Sequence, residues 1–275
     1  MPLVLRQLDG STPSIDCSGI TPDHLAGEAP AEVARRSVDA GAGRVALGDV
    51  LRVSGSAADG RVEFEGDFSR CWGVGAGMAA GWIVVRGGVG RGAAAGMRGG
   101  RLEVEGSAGD WLAAAMHGGT VHVRGDAGDD LAAALPGAAE GLTGGTVIVE
   151  GAAGCRTGSR MRRGVVAVGG ACGAGAGLEL RAGTIVVAGA LGALAGCGMR
   201  RGSIVAVGPA PSPGPSFLPG ATWRPAMLGL LLRHLAAEGF GGAGAMAAAL
   251  RGPVRQWHGD VLAGGRGELL LAGRG

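Results

Sequence analysis

Five histidines, at 24, 117, 122, 234 and 258, and five cysteines, at 17, 71, 155, 172 and 197, are the side chains of this sequence best suited to hold a metal or act as nucleophiles. Their spacing supports neither use. The cysteines form no CxxC pair, and the histidines have no metal-ligand spacing. An odd number of scattered cysteines points to reduced thiols and a cytoplasmic protein rather than to a disulfide framework. No GxSxG, HExxH or Walker motif occurs. All 25 basic residues are arginine, which excludes lysine Schiff-base chemistry. Asp110, Asp126, Asp129 and Asp130 lie among glycines and suit turns better than acid–base pairs. The expected catalytic set is therefore empty, and no metal site is expected. The net charge of +2 gives no strong pull toward nucleic acid or a membrane. The first residues, MPLVLRQLDGS, lack a signal-peptide core, and no stretch reads as a bilayer span.

One group of charges does have a pattern. Arg162, Arg181 and Arg200 recur every 19 residues. Stacked like charges are unfavourable unless acidic groups or anions answer them. The spacing marks either a solvated corner or a place where an anionic ligand or acidic partner docks.

The elements that position this column come from a repeat. Segments G-x-aliphatic-x-aliphatic-x-G open at Gly81, Gly100, Gly119, Gly145, Gly164, Gly183 and Gly202, with an earlier copy at Gly60. The alternation predicts a strand with one buried face. The inward pairs run from Val62 and Phe64 through Ile83 and Val85 to Ile204 and Ala206. Three residues before each opening glycine stands Met78, Met97, Met116, Leu142, Met161, Leu180 or Met199, a row that belongs in the core. Such a strand can pair in parallel with its equivalent one repeat away, so the repeats stack around a common core. The predicted fold class is mainly β: a right-handed parallel β-helix of about 19-residue coils.

One step is 26 residues instead of 19, and its insert around Leu135 and Pro136 reads as a loop open to a partner. The outward rows also change along the stack. Arg86, Glu105, Arg124 and Glu150 alternate in charge, as expected of a solvated face. Ile148, Val165, Val186, Val205 and Val207 make the later face apolar, to be covered by the C-terminal helices or by another subunit. They are taken with Leu135 and Pro136 as the candidate partner interface. The expected organisation is an N-terminal cap over 1–44 with a helix near Ala31–Val38, and the β-helix over 45–208. A Pro-rich crossing, helices over Ala226–Ala237 and near Gly244–Leu250, and final strands follow over 209–275.

Several stretches carry a resemblance: GDFSRCWGVGAGMAAGWIVVRG (66–87), MRGGRLEVEGSAGDWLAAAMHGGTVHVRGDAGD (97–129), GLTGGTVIVEGAAG (141–154), IDCSGITPDHLAGE near the start and GDVLAGGRGELL near the end. The repeat resembles the glycine-rich β-helix domain of glutamate synthase. With its ends, the chain more closely resembles the C-type subunit of formylmethanofuran dehydrogenase and of its bacterial relative, the formyltransferase/hydrolase complex. Ala94 and Ala113 stand where that family usually has glycine, and Arg266 where it has lysine. The Arg-rich, Lys-free composition favours the bacterial relative. The resemblance implies a non-catalytic structural subunit beside three sister subunits, of hydrolase-like, oxidoreductase-like and formyltransferase kinds. It implies a complex that moves a formyl group from formyl-tetrahydromethanopterin to methanofuran and hydrolyses formylmethanofuran to formate. No cofactor is expected on this chain, and the metal is expected in the hydrolase subunit. Methanofuran of that family carries a glutamate-rich tail, for which Arg162, Arg181 and Arg200 are the candidate contacts. A molybdenum- or tungsten-dependent formylmethanofuran dehydrogenase is one alternative. A free-standing ligand-binding β-helix is another, and the 3% aromatic content speaks against it.

Overall fold

The computed structural model describes residues 1–8, 14–41 and 43–272, so a few residues of the expected N-terminal cap and of the tail lie outside the described set. Strand β1 (Leu3–Gln7) is followed by α1 (Pro30–Ala34), β2 (Ser37–Asp39), β3 (Arg44–Ala46), α2 (Leu47–Val50), β4 (Leu51–Ser54) and β5 (Arg61–Glu65). The repeat supplies β6 (Trp82–Val85), β7 (Arg101–Val104), β8 (Thr120–Val123), β9 (Thr146–Val149), β10 (Val165–Val168), β11 (Thr184–Val187) and β12 (Arg201–Ala206). The chain ends with β13 (Leu218–Trp223), α3 (Ala226–Ala237), α4 (Ala243–Ala249), β14 (Val254–Gly259) and β15 (Arg266–Ala272).

All of these strands except β2 and β3, which pair with each other, form a mostly parallel 13-stranded sheet, in the order β13-β14-β15-β12-β11-β10-β9-β8-β7-β6-β5-β1-β4. The register follows the glycines: Trp82 pairs with Arg101, Arg101 with Thr120, Thr120 with Thr146, Thr146 with Val165 and Val165 with Thr184. The longer step leaves this register intact, because its extra residues loop out between β8 and β9. A second wall is a column of parallel bridges through Val89, Ala108, Ala127, Ala153, Cys172 and Leu191. The architecture is β-helix-like. The inward pairs and the methionine row enclose one continuous core, with Ile83, Met97, Val121 and Met161 all at 0% exposure.

The third wall carries backbone strain. Gly73, Gly92, Trp111, Asp130, Arg156, Gly175 and Leu194 are equivalent positions, and all have positive φ. Two residues on, Gly75, Ala94, Ala113, Ala132, Gly158, Gly177 and Gly196 do too. Their N–H groups point along the stack: Ala94 donates to the Val74 carbonyl and Ala113 to the Ala93 carbonyl, each at 2.8 Å. Ala94 and Ala113, the departures from the family's glycine, therefore stand in a conformation that disfavours any side chain. Their fully buried methyls return packing in exchange.

Two expectations about the ends are corrected. The helix near Ala31–Val38 stops at Ala34, and Ser37–Asp39 forms strand β2 against β3. Val38 is buried from the strand, and Asp39 Oδ1 accepts the Gly41 N–H at 2.7 Å, which turns the chain. The termini also do more than flank the stack. Strand β1 joins the sheet in parallel against β5, and β15 joins in parallel against β12. Antiparallel β4 and β13 then form the sheet's two edges.

Two substitutions test the second and third walls. Gly90→Ala puts a Cβ 2.0 Å from the Cys71 carbonyl oxygen. It is expected to cost more than about 2 kcal/mol in chemical denaturation. Leu194→Gly relieves φ +60 at a residue 70% exposed. It is expected to gain about 0.5–1 kcal/mol in the same measurement.

Candidate docking surfaces

The ionisable groups near the corners hold the stack together. Asp110 Oδ1 accepts the Asp129 N–H at 2.8 Å, Asp126 the Ala152 N–H at 2.7 Å and Asp129 the Cys155 N–H at 2.8 Å. Each carboxylate thus ties one coil to the next. Asp130 grips Arg156 through two hydrogen bonds, which raises the guanidinium further above its ordinary value. Cys17 and Cys71 are buried, and their thiols share a hydrogen bond that, with burial, pushes the Cys17 thiol well up. Burial pushes Cys172 up to about 11. Neither Cys17 nor Cys172 is poised as a nucleophile. Among the described residues, no group of three or more His, Cys, Asp or Glu side chains could hold a metal ion.

The apolar late face is covered by the chain itself. Ile148, Ala167 and Val186 pack with Leu232 and Leu235 of α3, Phe240, and Ala243 and Met246 of α4. Val165 and Val207 border this cluster, and Val205 joins Leu228, Val254 and Leu270 in the next one. Of the residues expected at a partner interface, Ile148, Val186 and Val205 are thus buried beneath the chain's own C-terminal segment, while Val165 and Val207 lie half-buried at its margin. The helix pair satisfies that face before any partner arrives. Leu228, Leu232 and Leu235, spaced for one helical face, were the sequence signal for this cover. The cover is latched by polar groups. His122 Nε2 lies 2.9 Å from Glu150 Oε1, and the two Glu150 oxygens accept the Gly241 N–H at 3.0 and 3.1 Å. Of the expected alternating row, Arg86 pairs with Glu105, while Glu150 turns to His122 and the turn between the helices.

The arginine column lies on the corner preceding β10, β11 and β12. Arg162 Nη1 is 3.0 and 3.2 Å from the two oxygens of Glu140, and Arg181 Nη1 is 3.5 Å from one of them. Glu140 belongs to the insert, a partner for the column that its position in the sequence did not disclose. Arg200 is exposed and has no ion-pair partner among the described residues. Register places Arg163, Arg201 and Arg266 on the adjoining row. Beside Glu140, a shallow pocket of about 310 Å³ is lined by His117, Thr143, Arg162 and Arg163. Leu135, 38% exposed, and Pro136 line a second hollow of about 290 Å³ with Trp111, Arg156, Arg160 and Leu178.

The fold is found again in a solved structure. A chain in the crystal structure of the formyltransferase/hydrolase complex (FhcABCD) from Methylorubrum extorquens, in complex with methylofuran, superposes with a TM-score of 0.87. The two are 34% identical over 98% of this chain and 100% of that one. The chain belongs to the family of formyltransferase/hydrolase complex subunits. No family model and no curated protein matches it. In this formyltransferase/hydrolase-family chain, the surfaces left open after folding include the arginine corner, the insert hollow and the outer side of the helix pair. On that outer side Met227 and Leu230 are exposed, and α4 carries no charged residue. No helix among the described residues is long and apolar enough to cross a membrane.

Truncation at the cover tests its role. Leu235→Ala, at a residue with 0% exposure, is expected to cost about 2–5 kcal/mol and to speed amide exchange over β9 to β11. A second test concerns Asp260, which closes the C-terminal end. Burial would raise its carboxyl, but N–H groups of Gly198 and Leu262 and the Ser216 hydroxyl outweigh burial and hold it below its ordinary value. A lowered value means stabilisation that is present near neutral pH and lost as pH falls through it. Asp260→Asn is therefore expected to lower the melting temperature at pH 7, with the gap to wild type closing below about pH 4.

Proposed function

We propose that this chain is the structural, C-type subunit of a cytoplasmic formyltransferase/hydrolase complex and carries no active site of its own. The observation that supports the reading is full-length similarity to a chain of such a complex. A second support is the use of its Asp and His side chains in coil-to-coil and helix-latching contacts. In this reading the chain is a right-handed solenoid of about 19-residue coils over 45–208. A cap over 1–44 and a C-terminal extension over 209–275 complete it. It binds no cofactor. The hydrolase-like, oxidoreductase-like and formyltransferase sister subunits transfer the formyl group from formyl-tetrahydromethanopterin to methanofuran and hydrolyse formylmethanofuran to formate, with the metal in the hydrolase subunit.

The arginine corner is where this subunit meets acidic chemistry. Arg162, Arg181 and Arg200 present guanidinium groups at coil spacing, and guanidinium pairs best with carboxylates. A glutamate-rich coenzyme tail or an acidic surface of a sister subunit satisfies that donor set. Leu135 and Pro136 on the insert offer an apolar contact beside it.

Purification from the native host under mild conditions tests the reading, with mass spectrometry and metal analysis of what elutes. Recovery with three sister subunits and without molybdenum or tungsten is expected. A lone monomer, or an assembly containing either metal, contradicts it. Within the assembly, Arg181→Glu is expected to weaken subunit association or methanofuran-dependent turnover by about tenfold or more. If both stay unchanged, the docking role of the corner is wrong.

A further inference from the structure

The fold sets two of the cysteines apart from the others. Cys17 belongs to the N-terminal cap and Cys71 to the turn after β5, yet they meet in the core, at 0% and 1% exposure. Backbone pairing fixes their segments against each other. Asp16 and Trp72 form a parallel bridge, in which the Trp72 N–H donates to the Ile15 carbonyl at 3.1 Å and the Cys17 N–H to the Trp72 carbonyl at 2.8 Å. The Cys17 thiol donates a hydrogen bond to the Cys71 sulfur, and the Ile15 backbone adds another. The bond from Cys17 is the main reason that the Cys71 thiol is held below its ordinary value despite burial. Cys172 bonds instead to the Thr157 side chain, and Cys197 is exposed. Phe68 and Val74 share the core with the pair, while Ser18, Ser69 and Arg70 beside it in sequence are exposed. The two thiols therefore lie one residue beneath the surface, at the seam between cap and stack.

We propose that Cys17 and Cys71 form a reversible dithiol–disulfide site that takes a hydroperoxide as its oxidant and, once oxidised, staples the N-terminal cap to the stack. The roles follow from the hydrogen bond. Cys71 is the attacking sulfur: it bonds to one peroxide oxygen, the O–O bond breaks, and the leaving hydroxide takes up a proton to become water. Cys17 is the resolving sulfur: it bonds to the Cys71 sulfur, the S–O bond of the sulfenic acid breaks, and the hydroxide leaves with the Cys17 proton as a second water. Two thiols are oxidised to one disulfide, and one peroxide is reduced to two waters. Sulfurs already in hydrogen-bond contact reach bonding distance by side-chain adjustment, while the paired backbone stays in place. The loop so closed holds α1, β2, β3, α2, β4 and β5. Closing a long loop removes freedom from the unfolded chain and so favours the folded one. What is fastened matters to the whole stack, because Leu25, Val33 and Leu47 of this segment are fully buried and seal the end of the core. A dithiol at rest agrees with the reducing setting that the scattered cysteines imply.

The test treats the reduced full chain with a stoichiometric amount of hydrogen peroxide, blocks the remaining thiols, and maps the unreduced tryptic digest by mass spectrometry. Cleavage after arginine leaves Cys17 in the peptide 7–35 and Cys71 in the peptide 71–86. The two peptides are expected to be joined, and to separate on treatment with dithiothreitol. The melting temperature is expected to rise by about 5–10 °C on oxidation and to return on reduction. In Cys17→Ser, Cys71 is expected to stop at the sulfenic acid and to be trapped by dimedone, whereas Cys71→Ser is expected to leave Cys17 unreacted. Each variant is first checked for a melting curve like that of the reduced wild type; if either fails to fold, the joined peptides of the wild type decide the matter alone. Peroxide that oxidises the exposed Cys197 without joining the two peptides overturns the proposal. So does joining that occurs only in denaturant, or a joined chain that melts no higher than the reduced one. The proposal does not rest on the subunit reading, and neither result bears on it.

Discussion

The stack depends on the column of glycines that close each strand. The N–H of Gly106 donates to the Gly87 carbonyl at 3.0 Å, Gly125 to Gly106 at 3.0 Å, Gly151 to Gly125 at 3.1 Å and Gly170 to Gly151 at 2.7 Å. Backbone meets backbone here with no room between. A Cβ on Gly87 would stand 2.1 Å from the Gly66 carbonyl oxygen, and one on Gly208 would stand 2.1 Å from that of Gly189. In-register contact at this corner keeps every row of the molecule aligned. The core rows, the aspartate ties and the arginine column all inherit their alignment from it.

Because the backbone is so constrained, variation is confined to side chains that face out and to loops that leave the register untouched. The seven extra residues before β9 are accommodated in this way, and they bring Glu140 to the arginine corner. The apolar outer rows of the later coils are accommodated by the long excursion between β12 and β15, which lays α3 and α4 across them. Glu150 links the two levels: its strand belongs to the stack, and its carboxylate holds the Gly241 N–H at the turn between the helices.

What could be read from the sequence was what repeats locally. The strands, the inward pairs and the methionine row follow from alternation and period, and they lie where that period puts them. The helix over Ala226–Ala237 followed from its own apolar spacing. What could not be read was set by contacts between distant segments. The pairing of β1 with β5 and of β15 with β12 joins elements with no repeat signature. Covering of the late face is a contest between the chain's own helices and a partner, and composition alone did not decide it. Glu140 was one acidic residue in a loop until the fold brought it to Arg162 and Arg181. The shortened first helix reflects the burial of Val38 from a strand, a tertiary preference that outweighed local propensity.

In the proposed scaffold role, this chain meets the rest of a formyltransferase/hydrolase complex through the arginine corner and the insert. Hydrogen–deuterium exchange, compared between the isolated chain and the purified assembly, addresses it most directly. New protection is expected over the 133–141 insert and the corners around Arg162, Arg181 and Arg200, with little change in the already protected core strands. Protection absent from those segments, or found only elsewhere on the stack, would contradict it.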